Sequence, residues 1–370
     1  MSSFTGARLA AVAAFTIAAA HVSYAQTTPA TPAKKPEDAP SLRVGATIFA
    51  DYTVTTQPDA TDADGNDITP NAFNITRSYI NLTGQISRLV AFRVTPDIAR
   101  ESGTGSSLSG SYTFRLKYAY AQFNLDDWLG RGTFARFGMQ PTPWIDFIDN
   151  VYRYRFQGPT LEDREGILSS SDLGATIRHQ FRGNYGDIHA GVYNGENYNR
   201  PEANDQKAWM VRATLRPLPK ASVLQGLRVT GFYDLDAYVR DAERRRGILG
   251  ATFEHPYVNA GANYLSTTDQ TRGTSPQLAG HGFSMWATPK MPAGFGWEGL
   301  LRFDRLTQDQ AGAAEPGRRD RTILGIAYWF PRQGSVSAAL LLDHEWVENR
   351  RYVPERPDER RLALHGLIAF

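Results

Sequence analysis

The segment from Tyr112 to Leu125, YTFRLKYAYAQFNL, alternates apolar and polar side chains with a period of two residues. One face of the extended chain would carry Tyr112, Phe114, Leu116, Tyr118 and Tyr120. The opposite face would carry Thr113, Arg115, Lys117, Ala119 and Ala121. Such alternation predicts a β-strand. It suits a soluble sheet with one buried face, or a membrane barrel with its apolar face on lipid and its polar face on a watery lumen.

The composition favours the barrel. The chain of 370 residues has no cysteine, 33 glycines and 41% hydrophobic residues. Beyond the N-terminal region, no stretch approaches the roughly 20 apolar residues of a membrane helix. Membrane barrels have a polar composition because half of each strand faces water. The absence of cysteine excludes a disulfide scaffold, a thiol nucleophile and a cysteine zinc site, and no motif predicts a cofactor or a metal ion.

The N-terminus has the pattern of a secretory signal peptide. A short basic region ends at Arg8 and is followed by an apolar run from Leu9 to Val22. Small residues then precede a predicted cleavage site after Ala25, so residues 1–25 are expected to be removed on export. Residues 26–41 are rich in Pro, Ala and Thr and are predicted to form a disordered leader.

About sixteen strands are predicted within residues 42–370, and their connections alternate in length. Segments such as 56–71 and 141–170 are long, whereas 87–89 and 255–256 are short. Long outer loops and short periplasmic turns are typical of bacterial outer-membrane barrels. The predicted fold class is therefore all-β: a transmembrane antiparallel β-barrel with an inward-folded third extracellular loop, localised in the bacterial outer membrane.

The C-terminal strand agrees with this interpretation. Its alternating apolar face ends on the terminal aromatic residue, Phe370. Outer-membrane proteins typically end in this way, and the barrel-assembly machinery reads the signal, so we expect that machinery to be a partner. Aromatic residues are also expected to form interfacial girdles at the strand ends: Trp128, Tyr328, Trp329, Phe330 and Phe370.

The connection 141–170 differs from the other long loops in its aromatic and charged content. A barrel of about sixteen strands leaves an aqueous channel, so an inward loop would constrict it. We expect the loop to pack Trp144, Phe147 and Phe156 against the wall. Its cations Arg153, Arg155 and Arg164 would then face Glu162, Asp163 and Glu165. The alternative is an extracellular loop packed on its neighbours.

Strand parity places many basic residues on the lumen side. With the loop cations, the predicted channel-lining residues are Arg77, Arg93, Arg115, Lys117, Arg136, Arg153, Arg155, Arg178, Arg212, Arg228, Arg302 and Arg321. Inward acidic residues are predicted to be fewer: Asp97, Asp172, Asp304 and Glu298. A basic lumen with low-dielectric walls favours anions, and arginine suits oxyanions. The alternative is that the arginines pair with wall carboxylates and only stiffen the lumen.

Several segments resemble the phosphate-selective porin O and P family. They are FRVTPDI, YAYAQFNL, ARFGMQPTPW before the long insert, and SSSDLGATI after it. The resemblance implies a 16-stranded, typically trimeric anion channel with an inward third loop and an arginine ladder. The chain departs from the family's phosphate channels in its scarcity of lysine, since only Lys117, Lys207, Lys220 and Lys290 lie outside the leader.

Other functions remain open from the sequence. We expect a porin rather than an enzyme, either anion-preferring or of a non-selective or carbohydrate type. A barrel enzyme would need a histidine near Asp or Ser at one rim, and His189, His281 and His344 are the candidates. A plugged structural barrel is the third possibility. Arginine runs at 244–246 and 318–319 are expected to meet anionic headgroups of outer-membrane lipid and lipopolysaccharide, or to draw solutes toward the mouth, rather than to bind nucleic acid.

Overall fold

The computed structural model describes residues 39–101, 105–292 and 294–370. The predicted signal peptide and most of the predicted leader, residues 1–38, lie outside the described residues. Sixteen antiparallel strands form one closed barrel, in which each strand pairs with its neighbours in sequence and the first pairs with the last. The predicted all-β barrel is confirmed.

The barrel strands are β1 Ser41–Gln57, β4 Asn71–Gln85, β5 Val90–Arg100, β6 Tyr112–Asn124, β7 Phe134–Pro141, β8 Ser171–Gln180, β9 Gly186–Tyr193, β10 Ala208–Leu215, β11 Leu227–Ala237, β12 Glu243–His255, β13 Val258–Asp269, β14 Leu278–Pro289, β15 Trp297–Gln308, β16 Gly317–Trp329, β17 Ser337–Arg350 and β18 Glu359–Ala369. Two short strands, β2 Ala60–Thr61 and β3 Asp67–Ile68, form a hairpin in the first long connection.

Helices occur only in connections among the described residues. They are α1 Asp126–Leu129, α2 Pro143–Tyr152 and α3 Leu161–Arg164, with 3₁₀ turns at Arg182–Asn184 and Leu224–Gly226. None of the described helices has the length and apolar character needed to cross a membrane. The α2 and α3 helices both lie in the long third loop, and neither helix was predicted from the sequence.

The barrel closes where its two ends meet. The backbone N–H of Ala46 donates to the carbonyl of Phe370 at 3.0 Å, and the N–H of Phe370 donates to the carbonyl of Ala46 at the same distance. Closure leaves no unpaired sheet edge, which hydrocarbon could not hydrate. The outer face is apolar, with side chains such as Phe114 and Phe137 more than two-thirds exposed.

A β-bulge interrupts the alternation of the Tyr112–Leu125 segment. Thr95 pairs with Tyr118 while its neighbour Pro96 pairs with Leu116, so Lys117 is an extra residue on β6. The bulge reverses the parity of the residues that follow it. Tyr118 and Tyr120 therefore face the lumen, and the prediction that they share the outer face of Leu116 is wrong.

The third loop folds into the barrel and builds an apolar core there. Trp144, Tyr152, Tyr154 and Phe156 of the loop are almost completely buried. This core joins the loop to inward side chains of strands β11–β16. The predicted inward-folded loop is confirmed. Trp329 also belongs to this cluster, since its ring lies 5.8 Å from that of Phe156, and its predicted place in an interfacial girdle is wrong.

Candidate functional site

The α2 helix gives the folded loop its apolar face. Pro143 at its first turn has the φ that a helix start requires. Trp144, Ile145, Ile148 and Val151 follow a helical spacing and are all buried. The chain then turns back at the left-handed residue Arg153 (φ 66°), whose N–H donates to the carbonyl of Asp149 at 3.0 Å.

Aromatic contacts fix the loop to the barrel wall. The Trp144 ring lies 6.0 Å from the ring of Phe232 on β11, and the Tyr152 ring lies 5.3 Å from that of Trp286 on β14. The guanidinium carbon of Arg212 lies above the ring of Phe147, 4.9 Å from the ring centre. The predicted anchoring residues Trp144, Phe147 and Phe156 all contact other aromatic or cationic side chains inside the barrel.

The loop cations pair in a different way from the predicted one. Arg155 contacts Asp149 at 3.1 Å and Asp163 at 2.5 Å. Arg153 instead pairs with Glu298 of the wall at 3.6 Å. The remaining cation, Arg164, pairs with Glu345 on β17 at 2.9 Å. Of the predicted loop pairs, the structure brings together Arg155 and Asp163, and the other two loop arginines tie the loop to the wall.

The loop acids also have partners on the wall. Glu165 contacts Arg319 at 3.4 Å and Arg321 at 3.1 Å. Glu162 is 1% exposed, and its Oε1 accepts a hydrogen bond of 2.7 Å from the amide of Asn263. Burial raises the pKa of Glu162 to about 7. The carboxyl can therefore change its charge near neutral pH.

On one side of the barrel, the predicted lining arginines are neutralised. Arg302 is buried and pairs with Asp304 at 2.6 Å on its own strand. Arg228 pairs with Glu254, and Arg321 pairs with Glu345 in addition to Glu165. Together with Arg212, these arginines and their carboxylate partners form what we call the paired wall, whose arginines lie on strands β10, β11, β15 and β16.

The lumen side holds more acidic residues than predicted from the sequence. Asp187 and Glu345 were missed, although each serves more than one arginine. Asp187 pairs with both Arg178 (2.9 Å) and Arg212. Which residues form these pairs depends on the register between neighbouring strands. The alternation of side chains along a single strand does not reveal that register. The alternative interpretation, in which arginines pair with wall carboxylates, therefore holds for the paired wall.

The opposite side of the lumen has a large excess of cations. Asp97 is the only carboxylate in the sequence of strands β4–β7. It lies between Arg77 and Arg115, at 3.0 Å and 2.9 Å. Lys117 is 2% exposed, and its ammonium group donates to the hydroxyl of Ser170 at 2.7 Å.

Two further arginines on this side contact only neutral groups among the described residues. Arg93 donates to Asn81 at 2.8 Å and lies 4.4 Å above the ring of Tyr118. Arg136 donates through Nε to Gln122 at 2.9 Å. We call Arg77, Arg93, Arg115, Lys117 and Arg136 the open wall.

Aromatic rings hold Arg136 in place. Its guanidinium carbon lies 4.3 Å from the ring centre of Phe134 and 4.7 Å from that of Tyr120. The Tyr120 ring reaches this position because of the bulge at Lys117. Neither terminal nitrogen of Arg136 has a hydrogen-bond partner in the described part of the chain, so both can donate to a solute as a planar fork.

A cavity of ≈430 Å³ lies between the folded loop and strands β1, β4 and β16–β18. Its basic lining residues are Arg77, Arg155, Arg164, Arg319, Arg321 and Arg361. Its acidic lining residues are Asp51, Glu165, Asp343 and Glu345. The cavity is polar and narrowed by the loop, which fits the predicted constriction of the lumen.

The open wall also contacts one side chain that was not predicted from the sequence. Tyr198 lies in the fourth outer connection, residues 194–207 between β9 and β10. Its ring centre lies 4.6 Å from the ammonium nitrogen of Lys117 and 5.0 Å from the guanidinium carbon of Arg115. Its hydroxyl also lies 3.5 Å from Arg77. An isolated tyrosine in a polar loop carries no periodic signal that would have identified it.

The three candidate histidines do not form one site. His189 is buried on the lumen side of β9, with its ring 6.2 Å from that of Phe134. His281 is exposed on β14, at an outward position of the strand. His344 lies on β17, next to Trp346 on the outer face.

The chain was compared with known proteins. No protein-family model matches it, and no curated protein matches it. The outer membrane channel DcaP of Acinetobacter baumannii has a TM-score of 0.60 at 10% identity, covering 90% of this chain and 98% of that chain. The likeness is one of fold.

Two other solved structures give the same result. An anion-selective porin from Comamonas acidovorans has a TM-score of 0.58 at 10% identity, covering 89% of this chain and 99% of its own. A loop L8 deletion mutant of OmpT, an outer membrane protein of Vibrio cholerae, has a TM-score of 0.58 at 12% identity, covering 90% and 100%. The sixteen-stranded barrel is thus an architecture known from outer-membrane proteins.

Proposed function

We propose that the protein is an outer-membrane porin whose water-filled lumen prefers small hydrophilic anions. One observation carries the proposal: strands β4–β7 place the five cations of the open wall against a single carboxylate of the same strands, Asp97, whereas the paired wall is neutralised. A low-dielectric wall focuses the field of uncompensated charges and raises the local concentration of counter-ions. The folded loop directs solutes past this wall. The shared fold with an anion-selective porin and an outer-membrane channel supports a channel role.

Phosphate-like oxyanions are the proposed solutes. The terminal nitrogens of Arg136 present a planar fork, which suits a carboxylate or phosphate group. The segments that resemble the phosphate-selective porin O and P family support the same class of solute. The scarcity of lysine in the lumen favours general anion preference over strict phosphate specificity.

We also propose that the protein is inserted into the outer membrane and assembled there. The apolar outer face fits the outer membrane, with export directed by residues 1–25. We propose lipopolysaccharide contacts for outward basic residues near the outer loops, such as Arg305 and Arg318. Phe370, 57% exposed at the closing strand, is the proposed signal to the barrel-assembly machinery. A homotrimer is the proposed assembly.

The test is the reversal potential of the purified protein in a planar bilayer under a KCl gradient. The proposal predicts discrete channel steps and a potential of the sign that chloride preference gives. Added inorganic phosphate should reduce the chloride current if oxyanions enter the same lumen. Cation preference would contradict the anion assignment, and the absence of channel steps would contradict the porin itself.

A further inference from the structure

Tyr198 contacts three cations of the open wall at once. Its ring faces Lys117 and Arg115, and its hydroxyl approaches Arg77. The same two arginines share Asp97, so their positive charge is only partly compensated. Tyr198 thus lies against the cations that a solute anion would meet on the open wall.

The ring reaches this place because the base of its loop is fixed. The N–H of Gly195 donates to the carboxylate of Asp172 at 2.8 Å. Asn197 then takes a left-handed conformation (φ 68°), which asparagine tolerates better than most residues, and turns the chain. Further along, the Asn204 amide donates to the carbonyl of Ala237 at 3.1 Å. The connection is held on both sides of Tyr198.

An aromatic ring and a solute anion compete for the same face of a cation. The ring presents only the partial negative charge of its π-face. A chloride or an oxyanion carries a full charge and interacts more strongly with the same cations. While the ring stays in place, it covers one face of the ammonium group of Lys117, whose side chain is 2% exposed, and one face of the Arg115 guanidinium.

We propose that Tyr198 is a specificity-determining residue of the channel, which limits the access of anions to Lys117, Arg115 and Arg77. This inference rests on the proposed function. The fourth outer connection, and not the folded third loop alone, then sets how strongly the lumen selects anions. Substituting the ring should make the protein more selective for anions, because it uncovers cations and removes none.

The experiment compares Tyr198→Ala, Tyr198→Phe and Asn199→Ala in planar bilayers. For Tyr198→Ala, we expect the chloride-to-potassium permeability ratio to rise about twofold, with larger single-channel conductance. Tyr198→Phe keeps the ring and should remain near the wild-type ratio. Asn199→Ala changes the adjacent exposed residue of the same loop and should also leave the ratio unchanged.

Double variants identify which cations the Tyr198 ring covers. The rise caused by Tyr198→Ala should shrink when Arg115→Gln is already present, because one uncovered cation is then missing. Lys117→Met gives the same test at the buried cation. An unchanged ratio in Tyr198→Ala, or an equal rise in Asn199→Ala, would overturn the inference. Lack of anion preference in the wild-type protein would instead overturn the proposed function.

Discussion

Arg164 of the folded loop donates a hydrogen bond of 2.9 Å to Glu345, which lies 181 residues further along the chain on a barrel strand. Both side chains are largely buried. Arg321 and Arg361 of the barrel strands also contact this carboxylate. Glu345 therefore compensates the charge of arginines from both the loop and the wall.

Glu345→Gln should weaken the attachment of the loop. Removing one partner of a buried ion pair costs about 3 kcal/mol or more, because the other charges stay buried. We expect a lower unfolding temperature, measured by the loss of the compact barrel form on heating, and noisier channel currents. Glu348→Gln is the matched control, since this residue lies on the same strand and is 54% exposed. Equal effects of both substitutions would contradict the role of Glu345.

Trp144→Ala tests the apolar part of the same attachment. The side chain is 1% exposed and contacts Phe147 and Phe232. Its removal should reduce the free energy that holds the loop inside the barrel by about 3–5 kcal/mol. We expect a larger and more variable single-channel conductance. Trp128→Ala, at a 68% exposed turn position, should leave conductance unchanged.

The charge of Glu162 should make loop packing depend on pH. Burial raises its pKa from 4.5 to about 7 in the folded protein. The folded state therefore holds the proton more tightly, and stability falls as pH rises through the range from 4.5 to 7. The loss of stability is complete above about pH 7 and absent below pH 4.5.

Glu162→Gln keeps an oxygen acceptor for the amide of Asn263 but cannot ionise. Its unfolding temperature should therefore exceed that of the wild type at pH 8, and the difference should disappear near pH 4. The measurement is the thermal midpoint of both proteins across this range. A difference independent of pH would show that Glu162 does not titrate in this way.

The barrel itself could be predicted from the sequence because each strand and each connection has a pattern within its own short segment. Alternating side chains located the strands, and loop lengths separated the two ends. The long aromatic segment 141–170 was identified as the inward loop for a physical reason: its many apolar side chains would be poorly hydrated outside. The bulge at Lys117 could not be found, since an extra residue becomes visible only against the partner strand.

The site was predicted less completely because charge pairing is a property of neighbouring strands. Strand parity placed Arg302 and Arg136 on the same inward side. Only the structure shows that the first is neutralised by Asp304 and that the second contacts neutral groups among the described residues. Tyr198 had no signal at all, since its position depends on the turn at Asn197 and on contacts distant in sequence.

We expect the open wall to set the charge preference of the lumen. A decisive comparison is the reversal potential of Arg93→Gln/Arg136→Gln and of Arg240→Gln/Arg350→Gln under a KCl gradient. The control removes the same charge from side chains that are 74% and 56% exposed, on an outer connection and at the outer end of β17. Chloride preference should fall in the first variant and persist in the control. Equal potentials in both variants and the wild type would contradict it.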